Sequence, residues 1–552
     1  MIVKMKHLDL VALKSSRDAV VERLRALGAV HLDLASASGA EVSAAKSEAA
    51  DAEKAVRCIL KARRDLGVRK GTAELSPAEV LSLEAEVAAL EEKADSLRRD
   101  IAKAAPYGDF DPALAKKIIE AGVDISSVAE LPPELPAVRL SEMEKSLVEC
   151  IGERREVLLR IAGADDGRIT ARFPSLSAKI AFESARELMA DRGEVAVISG
   201  WIPVTAESRF VSAAKQMEAG YLLRDPEEGE TPPTLVEPPR IFRPMKALFA
   251  GLGIAPAYTE SDVSVPFMCY FSLFFAMLVG DGAYGAIFLL GTLALRKKLP
   301  SSWFKLLVVF STATVAWGVL SNTWFGASIP ALAALPTVKW LADPSYKNMM
   351  FLCFTIGASH LMLARLWNGI CRFPDSTALA EFGWAGILLF MYFVTNSIVG
   401  IFSSIPNAVF WVFGVSLALV FLFTVKPSQL KTRGAELGML PLNIMSTLGD
   451  IISYVRLFAV GLASVKVAEN FNSMAVSLVS DASSPFVTAL MSVATVAILL
   501  VGHALNLAMA ALSVLVHAVR LNTLEFSNHK GVSWSGYAFA PFSKPQTNER
   551  KN

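Results

Sequence analysis

The residues with the strongest claim on chemistry stand where charge is expensive. The stretch from Leu448 to Asn470 (LGDIISYVRLFAVGLASVKVAEN) is largely apolar, long enough to cross a bilayer, and carries Arg456 near its middle. An arginine at membrane depth costs about 3 kcal/mol on insertion scales and usually faces a protein interior or an aqueous cavity. Asp450, Ser453 and Arg456 form one polar stripe on this segment. His503, Asn506, Ser513, His517 and Arg520 form a second, on a three-and-four spacing that passes through Ala510, and Glu525 lies just beyond. Two polar-striped helices with arginines suit a pair facing a shared polar partner or water pathway. Each residue also has a plainer use. Arg520 is placed to snorkel, His503 and Asn506 to bond neighbouring helices, and His517 to hold Arg520. Asp281, between two glycines in GDGAYG (280–285), is placed to cap a broken helix.

The elements that must position these groups follow from composition. The chain has 552 residues, 53% hydrophobic and 19% charged, and those averages conceal a division. Up to about Pro244 the sequence is charge-rich with helical periodicity. Beyond it come apolar blocks at the roughly 20-residue length of a membrane helix. A formal charge of +1 gives no reason to propose a nucleic-acid partner. The five cysteines (Cys58, Cys150, Cys269, Cys353, Cys371) have no metal or redox spacing. No GxxxxGK[ST] loop or dinucleotide fingerprint is present, so no nucleotide cofactor is expected; if ATP drives this protein, another chain binds it. The N-terminus lacks a signal-peptide pattern, which places the first domain in the cytoplasm.

In the first half, residues 1–244, Lys6–Leu13 reads as a strand, Ser15–Leu27 as an amphipathic helix stopped by Gly28, and Val30–Leu34 as a second strand. The order recurs with Glu194–Val204, Ala206–Ala219 and Tyr221–Leu223. The expectation is two small α+β lobes, one near each end. Between them Gly39–Leu66, Pro77–Ala104 and Leu140–Ile161 carry the apolar seams of coiled-coil arms, giving an elongated dumbbell. Residues 225–244 form a proline- and acid-rich linker.

In the second half, residues 245–552, apolar blocks cover Val265–Leu295, Trp303–Phe325, Asn348–Cys371, Gly383–Phe402, Asn407–Val425, Gly438–Val479 and Pro485–Leu524. Arg296, Lys297 and Lys298, then Arg372, then Lys426, Lys431 and Arg433 should all be cytoplasmic. With a cytoplasmic first domain, this requires the first block to cross twice, breaking at GDGAYG. The expected fold is therefore an α-helical polytopic domain of about eight transmembrane helices. Its last two blocks are too long for perpendicular spans and are expected to tilt or project.

On these last two helices the chain resembles subunit I, or subunit a, of the rotary V-type/A-type ATPases. The resemblance rests on GDIISYVRLFAVGLA (449–463) and GHALNLAMAALSVLVHAVRLNTLEF (502–526), with FFAMLVGDGAYG (274–285) and WFG (324–326) in support. It implies a membrane stator without its own ATP site, in the plasma membrane of a bacterium or archaeon. It further implies a proteolipid ring with ion-binding carboxylates as partner, two aqueous half-channels, and coupling of H⁺ or Na⁺ movement to ATP hydrolysis or synthesis. The first domain would meet the peripheral stalk E/G-type subunits and the central-stalk C/d-type subunit. Arg456 matches the family's essential arginine and Arg520 its second. Asp450, Ser453, His503, Asn506, His517, Glu525 and Asp281 become candidates for the ion path. Eukaryotic members carry a glutamate about where Ala510 stands, so Glu469, Lys466 or Asp281 would have to supply polar character here. Two rivals make different demands. A secondary transporter needs a self-contained cavity, often with inverted repeats, and none is visible; a coiled-coil scaffold or receptor needs no intramembrane arginines.

Overall fold

The computed structural model describes residues 1–105, 108–109, 111–122, 138–217, 219–327, 338, 340–341, 346–425, 435–480 and 485–544. It divides into two compact units, residues 5–226 with 540–552 and residues 1–4 with 227–539.

The first unit is built on β1 (Met5–Leu13), α1 (Arg17–Leu27), α2 (Ala40–Leu66), α3 (Pro77–Ala104), α4 (Pro112–Glu120), α5 (Leu140–Ala162), α6 (Asp166–Ala171), α7 (Phe173–Leu188), β2 (Ala190–Arg192), β3 (Val195–Pro203), α8 (Glu207–Gln216) and β4 (Gly220–Arg224). The strands expected in separate lobes pair in a single antiparallel sheet of order β2-β3-β1-β4. The reason is burial. Alternate residues Leu8, Leu10 and Ala12 on β1 and Ala196, Ile198 and Ile202 on β3 are apolar and buried, so neither strand can leave that face in water. They share one core with Val20, Val21, Leu24, Phe210 and Ala214 from the flanking helices.

The second strand expected at Val30–Leu34 reduces to one bridge, His31 to Trp201. That bridge lies over Gly200, where a Cβ would sit 2.6 Å from the His31 carbonyl oxygen, so only glycine lets the two backbones meet. The three long helices form as expected and associate through Ala52, Ala55, Ile59 and Ala62 of α2, Val80, Leu83 and Val87 of α3, and Val157 and Ile161 of α5. Ser76 and Glu79 close a capping box at the start of α3, with Glu79 N–H donating to Ser76 Oγ at 3.3 Å and Ser76 N–H to Glu79 Oε2 at 2.7 Å.

The second unit is helical: α9 (Met245–Leu252), α10 (Ser264–Val279), α11 (Gly282–Ala294), α12 (Ser301–Ser321), α13 (Lys347–Arg372), α14 (Thr377–Ile398), α15 (Asn407–Phe423), α16 (Leu440–Ile452), α17 (Val455–Ser480) and α18 (Pro485–Ser513). Among the described residues, five helical stretches are long and apolar enough to cross a membrane: 301–321, 347–372, 377–398, 440–478 and 489–530. The α10–α11 pair adds a sixth candidate, bent by 118° at its break. The break falls at Gly280, whose φ of +70° suits glycine. Asp281 then caps α11, its Oδ1 accepting from the N–H groups of Ala283 (2.8 Å) and Tyr284 (3.3 Å). Its Oδ2 accepts from Gly326 N–H at 2.8 Å, tying the bend to the loop after α12.

One prediction concerns the sheet unit. Burial pushes the His31 imidazole below its ordinary pKa. A histidine depressed in the fold binds fewer protons than in the unfolded chain. Its contribution is therefore intact above the unfolded value of about 6.5 and is lost as pH falls through that value towards the folded one. His31 Nδ1 accepts from Ala540 N–H at 3.0 Å, and Phe542 N–H donates to Val30 O at 2.8 Å. Hydrogen exchange at Ala540 and Phe542, corrected for intrinsic rate, should accelerate between pH 7.5 and 5.5. Equal protection at both pH values would refute this.

Candidate functional site

The site begins with an interruption in the helix that carries it. Between α16 and α17 the chain turns at Ser453 and Tyr454, so Arg456 stands in the first turn of α17 rather than mid-helix. Tyr454 pins the turn: it is fully buried, its hydroxyl is 2.8 Å from His360 Nδ1, and Gly357 leaves room for its ring. His360 in turn stacks between Tyr270 and Phe526. At the turn the Ser453 carbonyl accepts twice from Arg456, from its backbone N–H at 3.3 Å and from Nε at 2.8 Å.

The guanidinium completes its coordination across the helix pair. Arg456 Nη2 meets Glu525 Oε1 at 2.5 Å. The same oxygen lies 3.4 Å from Arg520 Nε and 3.3 Å from Ser453 Oγ. Glu525 is 6% exposed, and its Oε2 is buried with no hydrogen-bond partner among the described residues. A buried carboxylate holding two guanidiniums is stable only while both signs are present, since removing one partner costs about 3–5 kcal/mol.

The end of α18 makes this meeting possible. Residues Val514–Ala518 and Leu521–Phe526 form π-helical turns, with i→i+5 spacing. In an α-helix, residues five apart differ by about 140° around the axis; the wider turn brings Arg520 and Glu525 to one side. It also divides the expected polar stripe. His517 remains within electrostatic reach of Arg456 and Arg520, its Nδ1 shielded from solvent and without a partner among the described residues. His503 and Asn506 belong to a separate cluster.

On one side of the arginines, Asp450 Oδ2 lies 3.0 Å from His529 Nε2, and His529 Nδ1 accepts from Arg365 Nε at 3.1 Å. Arg365 continues to Glu381 at 3.1 Å, which also holds Arg372 at 2.8 Å. Asp450, His529, Arg365, Asn443 and Thr447 line a cavity of about 600 Å³. On the other side the groups are a phenol, an imidazole, two amides and a serine hydroxyl. Tyr284 hydroxyl lies 2.7 Å from His503 Nδ1 and accepts from Asn506 Nδ2 at 3.0 Å. Asn506 Nδ2 also donates to Ser464 O (2.8 Å), while its Oδ1 accepts from Ser464 Oγ (3.1 Å). His503 Nε2 is 3.2 Å from Asn472 Oδ1, and Asn472 Nδ2 donates to Phe325 O at 2.6 Å. Asn472 Oδ1 is an acceptor, so His503 Nε2–H donates to it, while Nδ1 meets the Tyr284 hydroxyl.

The sequence therefore named members of both clusters without separating them. Asp281 is the cap and loop tie described above, and Lys466 and Glu469 pair with each other at 2.6 Å on an exposed face. Sequence reading missed His529, Arg365, Glu381, Tyr284, Ser464 and Asn472. Arg365 and Glu381 had a signal, as ionisable residues inside apolar helices; Ser464 and Asn472 had none. Among the described residues no cluster could hold a metal ion.

Fold and site together define a multi-pass helical membrane protein with a charged cluster set among its apolar helices. No protein-family model matches the chain. It is 33% identical to the V-type ATP synthase subunit I of Borreliella burgdorferi, over 65% of this chain and 62% of that protein. With the V-type ATP synthase subunit I 1 of Treponema pallidum it is 28% identical over 98% of this chain and all of the relative. With the A-type ATP synthase subunit I of Methanocaldococcus jannaschii it is 24% identical over 76% of this chain and 65% of that one. The homologues of this chain are thus subunits I of V-type and A-type ATP synthases.

The Tyr284 cluster gives a stability prediction. Asn506→Leu removes the amide that joins Tyr284 to Ser464. Interhelical hydrogen bonds in membranes are worth about 1–2 kcal/mol, so thermal unfolding of the purified protein in detergent should shift down accordingly. A melting curve superimposable on wild type would mean that the amide does not hold these helices.

Proposed function

We propose that this chain is the membrane stator of a rotary ATPase, presenting Arg456 to the carboxylates of a rotating proteolipid ring and an ion half-channel to each side. The observation that carries the reading is the arrangement around Arg456. A guanidinium set within apolar helices has one polar cluster at Asp450 on α16 before it and another at Ser464 on α17 after it, and the two are not joined by hydrogen bonds among the described residues. Ser464 lies eight residues beyond Arg456, about 12 Å along a helix axis.

The physics of that arrangement suits ion release at one point only. A ring carboxylate crossing lipid is neutral, protonated or ion-loaded. A fixed guanidinium favours its ionised form and, remaining charged throughout, blocks a direct leak between the two sides. The cavity beside Asp450 and His529 is the first half-channel in this reading, and Tyr284, His503 and Asn506 line the second. His517 and Ser453 attend the arginines between them. Either H⁺ or Na⁺ is compatible with these groups.

The rest of the chain takes its place around this site. Eight crossings result if α10 and α11 are two spans and α15, at 17 residues, is another. With Arg296, Lys297, Lys298 and Arg372 inside, the first unit lies in the cytoplasm of a bacterium or archaeon, as an elongated domain with coiled-coil arms. There it would bind the peripheral stalks and contact the central stalk, while ATP sites sit on other subunits and this chain catalyses nothing itself.

The test is ATP-driven ion transport by vesicles containing the assembled complex. Arg456→Ala should assemble and lose transport by more than 100-fold. Normal pumping by an assembled mutant would overturn the stator reading.

A further inference from the structure

Glu525 has a feature that lining a channel does not explain: it already occupies the guanidinium to which an external carboxylate must bind. We propose that Glu525 is an internal counter-ion for Arg456, holding the guanidinium between visits and releasing it when the carboxylate of a ring subunit arrives. The inference rests on the stator reading above and assigns this residue its part in it.

Three observations support the exchange. The first is charge. Arg456 and Arg520 converge on the single carboxylate of Glu525, so the trio has one positive charge left over, and one further carboxylate would balance it. Other nearby groups are committed elsewhere: Asp450 to His529, and the Tyr454 hydroxyl to His360. His517 adds no carboxylate.

The second is bonding capacity. All the donors collect on Glu525 Oε1, while Oε2 is buried and lacks a partner among the described residues. A buried acceptor left unmade is costly, so this carboxylate is held by one edge rather than locked on both. The single O–H of Ser453 has a nearer acceptor in Asp450 O (2.8 Å) than in Glu525 Oε1 (3.3 Å), so it loses no satisfaction when Glu525 withdraws.

The third is access. The Arg456 side chain is 20% exposed and that of Arg520 57%, against 7% for Glu525. An incoming carboxylate therefore reaches the guanidiniums directly, without first displacing the glutamate. The step is an exchange of ion pairs. Glu525 moves from Arg456 towards Arg520 as the visitor binds Arg456, and returns when the visitor leaves. No bond is made or broken and no charge is created.

The charge of residue 525 then matters more than its shape. Glu525→Gln keeps the size and an oxygen that accepts from Arg456 but leaves two guanidiniums unneutralised, so each ring carboxylate is held too tightly. Glu525→Asp keeps the charge at the cost of one methylene. In assembled complexes in vesicles, Glu525→Gln should lower ATP-driven transport and the coupled ATP hydrolysis by at least tenfold. Glu525→Asp should retain at least a third of each. A purely structural role predicts the reverse order, because glutamine fits the site better than aspartate. The proposal fails if the glutamine variant assembles and pumps within twofold of wild type, or if both variants are equally impaired. Arg456→Ala in the same vesicles separates the two claims. If it abolishes transport while Glu525→Gln does not, the stator reading stands and only the counter-ion exchange is lost; if Arg456→Ala pumps normally, the stator reading itself falls.

Discussion

A guanidinium among apolar helices cannot be left without partners, and much of the second unit follows from satisfying Arg456. The helix is interrupted at Ser453 and Tyr454, and the Ser453 carbonyl there accepts from Nε as well as from the Arg456 backbone N–H. The facing helix widens into π-turns, which swing Glu525 onto the same side as Arg520. Tyr454 and His360 anchor the interruption from behind with a buried hydrogen bond and stacked rings. Each departure from regular helix would be unfavourable alone, and each supplies one part of a charge-neutralising shell.

The two polar clusters differ in kind. Around Asp450 the groups are ionisable and line a cavity. Around Tyr284 the groups are a phenol, two amides, a serine and an imidazole, and their donors and acceptors are matched pair by pair. A matched network is what helices can hold together with at depth, where an unpaired polar atom has no water to turn to.

Much of this was legible in the sequence, because some signals are local. The GDGAYG break, the seams of the long helices and the two arginines are each read from a few neighbouring residues. What escaped depends on distant partners. Alternating strands at 5–13 and 195–203 announce a buried face but not that each supplies the other's neighbour; pairing, not pattern, makes one sheet from two expected lobes. The stripe from His503 to Arg520 assumed 3.6 residues per turn throughout, and π-turns after Ser513 break that count. Glu525 was named as a polar lining, whereas its partnership with Arg456 needed the geometry of two helices at once.

The glycine contacts carry a mechanical consequence. Gly461 of α17 lies against α10 so closely that a Cβ would stand 2.5 Å from the Met277 carbonyl oxygen, and Gly318 lies against the backbone of Gly282. Where main chain touches main chain there is no rotamer to yield. Sideways load on α17 is therefore passed to α10 as movement of whole helices, and through Gly282 and Gly318 the stiffness extends to α12. The segment bearing Arg456 is braced as a strut is, with little elastic slack between the charged group and the frame behind it.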